Sequence, residues 1–104
     1  MTNQPEPTPA RIEMLRGAQA QELIDNPLIA EALAAWEKEI TQAWKTSPLR
    51  DAEGRESLRR LLEASNQFRR YLTQTIETGQ LARVQQERET AMQKAARFVR
   101  GAFR

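Results

Sequence analysis

Residues 44–56 read Trp44-Lys45-Thr46-Ser47-Pro48-Leu49-Arg50-Asp51-Ala52-Glu53-Gly54-Arg55-Glu56, a polar interruption with one proline and one glycine in a chain whose pattern is otherwise helical. A corner here folds the apolar stripe before it back onto the stripe after it. Ser47 is expected to cap the following helix, Pro48 to start it, and Asp51 and Glu53 to complement its positive end. Every one of these roles is structural, so the stretch reads as the turn of a helical hairpin and not as a reaction centre.

Upstream of the corner, Ile29, Leu33, Trp36, Ile40 and Trp44 recur at steps of 4, 3, 4 and 4. That spacing lays all five along one side of a helix, the strongest periodic signal in the chain. Asn26-Pro27 marks its start, because Asn caps free amides and Pro at the first helical position loses no hydrogen bond. Downstream, Leu58, Leu61 or Leu62, Phe68, Leu72 and Ile76 repeat the pattern. Two such stripes joined by a short loop are expected to pack antiparallel and to bury one another.

The flanks are less regular. Ile12, Leu15, Ala18 and Leu23 or Ile24 predict a short first helix, weakened by Gly17 in mid-run. Before it, Met1 to Pro9 carries prolines at positions 5, 7 and 9 and is expected to be a flexible arm. Gly79 follows the third periodic run, where glycine either ends a helix or is carried through at a cost of about 1 kcal/mol relative to Ala. Beyond it, Leu81, Val84, Ala91, Ala95, Phe98 and Ala102 keep a helical spacing interrupted by Arg88. The expected fold is all-α: one domain over residues 10–104, with helices near 10–25, 27–45, 48–78 and 81–102, the central pair forming the hairpin and the last being basic and amphipathic. Its core would be Ile29, Leu33, Trp36, Ile40, Trp44, Leu58, Leu61, Phe68, Leu72 and Ile76.

Composition narrows the function. The 104 residues include no cysteine and no histidine, which removes thiolate metal sites, disulfides and the usual general base near neutrality. Glu31, Glu37, Glu39, Glu53 and Glu56 have no His partner and form no calcium loop. Ser47, Ser57 and Ser65 have no activating base, and Gly54 and Gly79 make no phosphate cradle. The expectation is a non-enzyme with no metal and no cofactor. No apolar run approaches the roughly 18 residues of a membrane span and no signal peptide is visible, so the chain is expected to be intracellular when made.

Charge is uneven. Residues 1–52 carry a net −3 and residues 53–104 a net +5. Such polarity suits an acidic partner, head-to-tail association or plain solvated faces. The last eleven residues hold four cations and no acid. On a helix, Lys94, Arg97, Arg100 and Arg104 fall within an arc of about 120°, with Phe98, Val99 and Phe103 on the other side. Three readings stay open: complementing the helix dipole, docking of Arg97, Phe98, Val99, Arg100, Phe103 and Arg104 on another protein or subunit, or nonspecific contact with nucleic acid or an anionic membrane surface. In a nucleic-acid protein Arg69, Arg70 and Arg83 would join Lys94, Arg97, Arg100 and Arg104 on phosphates.

Four segments taken together, Asn26-Pro27-Leu28-Ile29-Ala30-Glu31-Ala32-Leu33, Ala43-Trp44-Lys45-Thr46-Ser47-Pro48, Asp51-Ala52-Glu53-Gly54-Arg55-Glu56-Ser57-Leu58 and Glu77-Thr78-Gly79-Gln80-Leu81-Ala82, resemble small helical proteins of tailed bacteriophages from virion or head-assembly gene regions. The likeness covers about residues 22–82. It implies a structural or assembly protein that self-associates or contacts another virion protein, made in the host cytoplasm with the virion as a further location, and it carries over no catalytic residue. A small packaging or regulatory protein that binds nucleic acid, and an inhibitor of a host protein, are the other readings.

Overall fold

The computed structural model describes residues 6–102, and every regular element among them is an α-helix. Helix α1 spans Pro9–Asp25, α2 spans Pro27–Thr46 and α3 spans Ala52–Ala102. Met1–Pro5 of the expected arm, and Phe103 and Arg104, lie outside the described residues. Pro9 belongs to α1 and not to the arm: Thr8 caps the helix by accepting from the Arg11 amide at 3.2 Å, and Pro9 occupies the first turn, where its missing amide is no loss. Asn26 separates α1 from α2 as a single extended residue, and its side chain accepts from the amides of Leu28 and Ile29.

The corner is built differently from its sequence reading. Ser47 terminates α2 instead of capping α3, donating its hydroxyl to the Trp44 carbonyl at 2.6 Å. Pro48 opens a turn that the Asp51 amide closes at 3.0 Å on the Pro48 carbonyl. Asp51 then caps α3 by accepting from the Gly54 amide at 2.9 Å. The reason is geometric: a residue before proline is held extended, which suits Ser47 to leaving a helix, whereas Asp51 sits three residues before a free amide.

Helix α3 runs through Gly79 without a break, so one 51-residue helix replaces the two expected at 48–78 and 81–102. At 1.5 Å per residue it is about 75 Å long, which accounts for the 82 Å long axis of a molecule only 33 and 22 Å across. Along it, Thr8 to Glu13 lie beside Gln85 to Gln93, Gly17 lies on Gly79, Glu37 meets Ser65 and Arg69, and Trp44 meets Arg55. Rising numbers on α1 and α2 therefore meet falling numbers on α3. The two shorter helices follow one another along the long one.

Packing centres on α1 and α3, which share more contact than α2 and α3 do. Most of the buried residues are small, Gly17 and Ala20 on α1 and Ser65, Gly79 and Ala82 on α3; Ile40 on α2 and Leu72 on α3 are the larger ones. A Cβ built on Gly79 would stand 2.9 Å from the Glu13 carbonyl oxygen and 3.0 Å from the Gly17 Cα, and one on Gly17 would stand 3.1 Å from the Gly79 Cα and 3.2 Å from the Thr75 oxygen. The two backbones thus touch directly, an approach that a side chain on Gly79 would block and one on Gly17 would strain.

This corrects the expected hairpin core. Ile40 and Leu72 are buried, and Ile29, Leu33, Leu58 and Ile76 are half-buried. Trp36, Trp44, Leu61 and Phe68 are exposed. Close approach occurs at the small residues, and larger side chains are left at the margins of the contact. Ile76 borders α1, beside Met14, Gly17 and Ala18.

Replacing Gly79 by Ala should lower stability by about 1–3 kcal/mol through overpacking, against the gain of about 1 kcal/mol expected in an open helix. Gly101, where an added Cβ would meet nothing within 4 Å, is the control, and its Ala variant should melt at or above the parent midpoint by circular dichroism. Asp51→Ala should cost about 1 kcal/mol in the same assay.

Candidate functional site

No group of three or more acidic, His or Cys side chains among the described residues is placed to hold a metal ion, and no helix is long and apolar enough to cross a membrane. The surface hollows are grooves along helix junctions. One apolar hollow of about 270 Å³ lies between α2 and α3, lined by Ile40, Thr41, Trp44, Leu58, Arg59 and Leu62.

The ordered polar groups tie helices together. Glu37 of α2 accepts from the hydroxyl of the buried Ser65 at 2.9 Å and from the Arg69 Nε at 2.8 Å. Those bonds, Arg69 first and Ser65 second, hold the Glu37 carboxyl below its ordinary pKa against a smaller opposing effect of burial. Further along, the Arg55 guanidinium lies 4.0 Å from the Trp44 ring centroid and donates to the Ser47 hydroxyl at 3.3 Å. A Trp face and a cation at this distance attract. On α1, Arg16 donates to the Tyr71 hydroxyl at 2.9 Å. Glu37, Arg55, Ser65 and Arg69 thus act as structural partners, and Arg69 is engaged with a carboxylate and not presented as a free phosphate contact.

Surface pairs complete the picture. Glu56 bonds Arg59 and neighbours Arg60, which lowers the Glu56 pKa and raises that of Arg59. Arg70 pairs with Glu63.

The remaining candidate surface is the end of α3. Past Gln93 the helix has run beyond the first residues of α1, and every residue from Glu87 to Ala102 is exposed. Met92 and Phe98 keep 71% and 78% of their surface, and Val99 keeps about half. The expected contact residues do not share one face. Lys94, Arg97 and Arg100 continue the side of α3 on which α1 packs further down, while Val99 points to the rear and Phe98 flanks it. Arg100 turns back on its own helix, donating to the Ala96 carbonyl at 3.4 Å. Reading from sequence missed Gly17, Ala20 and Ala82 as contact residues. Their signal was the recurrence of small residues at helical spacing, which hydrophobic periodicity passes over.

Comparison of the chain with protein-family models, curated proteins and solved structures finds no match.

Because the Glu37 pKa is depressed in the folded chain, its contribution to stability is present above the ordinary carboxylate value of 4.5 and is lost as pH falls through and below it. Thermal midpoints measured between neutral and acidic pH should fall for the parent chain. Glu37→Gln should start lower and lose less over the same range.

Proposed function

We propose that this chain is a non-enzymatic structural or assembly protein of a tailed bacteriophage, acting through helix-mediated self-association and docking on another virion protein. The observation that carries the reading is the free end of α3, where about ten residues project past α1 with Met92, Phe98 and Val99 uncovered. Exposed apolar side chains on a helix are a docking feature of the helix-in-groove kind. The resemblance across residues 22–82 supplies the phage setting, with synthesis in the host cytoplasm and a place in the virion or its precursor. A 51-residue helix braced along one side and open along the other suits a part that spans distance and joins other parts.

A nucleic-acid reading draws on one observation. Lys94, Arg97 and Arg100 lie on one side of the α3 end, with no acidic residue following Glu89. Cations so arranged neutralise phosphates without reading bases.

Capture of the tagged full chain from phage-infected cells tests both. The assembly reading expects recovery with a virion protein, and a loss of about tenfold or more when Phe98 and Val99 become Ala. A chain absent from particles and from assembly intermediates would overturn it. If nucleic acid is the partner, capture should fall steeply with salt and with Arg97→Ala and Arg100→Ala, while the Phe98 and Val99 variants bind as before.

A further inference from the structure

From Leu81 onward α3 carries a second apolar stripe that the fold leaves unused. Leu81, Val84, Arg88, Ala91, Ala95, Phe98 and Ala102 recur at steps of 3, 4, 3, 4, 3 and 4, and all seven are exposed. At 3.6 residues per turn they share an arc of about 100°, centred about 160° around the helix from the side that holds Ser65, Leu72, Gly79 and Ala82. The stripe therefore points away from α1. One heptad upstream the same positions are Gln74 and Glu77, so the seam begins at Leu81 and extends about 32 Å to Ala102.

Alternating steps of three and four define the inner positions of a coiled coil. Leu81, Arg88, Ala95 and Ala102 take position a, and Val84, Ala91 and Phe98 take position d. Glu87 and Lys94 then fall at the flanking g positions. We propose that this seam joins two copies of the chain as an antiparallel coiled coil, with Leu81 of each copy against Phe98 of the other. The proposal rests on the self-association reading above and gives it a partner, an orientation and a register.

Charge selects the orientation. In a parallel pair Arg88 would face Arg88 in the seam, while Glu87 and Lys94 would reach Met92 and Val99 of the second copy and meet no opposite charge. In the antiparallel pair Arg88 faces Ala91, whose small side chain leaves room for the arginine stem to run out to water. Glu87 of each copy then meets Lys94 of the other, twice per dimer. Charge also selects the register, because a shift of one heptad in one direction sets Lys94 against Lys94 and in the other sets Glu87 against Glu87. Of these arrangements only one opposes unlike charges. Helices α1 and α2 of both copies remain on the outer flanks, clear of the seam.

Sedimentation equilibrium of the full chain should show a monomer–dimer equilibrium. Lys94→Glu and Glu87→Lys, each replacing two attractions by two repulsions, should each weaken the dimer about tenfold, and the double exchange should restore it. Circular dichroism distinguishes lost pairing from lost folding, since all three variants should keep the parent helicity. The chain has no cysteine, so Val84→Cys and Ala95→Cys report orientation directly. The mixed pair should cross-link on mild oxidation, and neither variant should do so alone. A monomer at every concentration, or disulfides formed within each single variant, would overturn the pairing. A monomer that still travels with a virion protein leaves the assembly reading in place, and a stable antiparallel dimer absent from particles does the reverse.

Discussion

Gly17 and Gly79 bring two helix backbones into contact, each glycine facing the carbonyl four residues before the other, at Thr75 and Glu13. The placement of α1 depends on that contact. It sets how far α1 stands from α3 and which side of α3 is covered, and it leaves the solvent side of the long helix open. Dispersion between closely packed backbones replaces the large side chains that a more ordinary pair of helices would interleave. A methyl group on Gly79 has no room, and one on Gly17 would push the facing backbone away by a few tenths of an ångström, so the arrangement is specific as well as close.

The same contact accounts for the continuity of α3. A glycine in a helix interior is a weak point in isolation, but here its missing side chain is where α1 packs, and the tertiary contact offsets the local cost. With α1 and α2 following one another along it, α3 becomes the spine of an elongated molecule in which both shorter helices lean on the third. Asn26 and Pro27 allow this succession, since one extended residue and a cap restart the helix almost at once.

The α2 end is tied by polar and aromatic contacts instead of by close approach. Glu37, Ser65 and Arg69 form one bridge, and Trp44, Ser47 and Arg55 another. These contacts orient α2 on α3 and leave Trp36 and Trp44 partly uncovered. The division of α3 into a covered front and an open rear follows, and the rear becomes apolar only past Leu81. The front beyond α1 is basic and the rear upstream of Leu81 is polar, so the uncovered apolar surface of the rear is confined to the part past Leu81.

By itself the sequence determined the helical class, the start of α2 at Asn26-Pro27, the bend between Trp44 and Ala52, and the three-four spacing from Leu81 to Ala102. These follow from local rules: capping chemistry, proline geometry and the period of apolar residues act over a few positions and can be read from them. Tertiary structure decided the rest. Gly17 and Gly79, read locally as a weakness and a potential break, became the central contact, and Phe68 and Leu61, read as core, stayed exposed. Whether a glycine ends a helix or admits another depends on what lies across from it, and 61 intervening residues hid that partner. The helical period alone sets Lys94, Arg97 and Arg100 apart from Val99, but that their side continues the face covered by α1 was decided by packing, because α1 stops short of the end of α3.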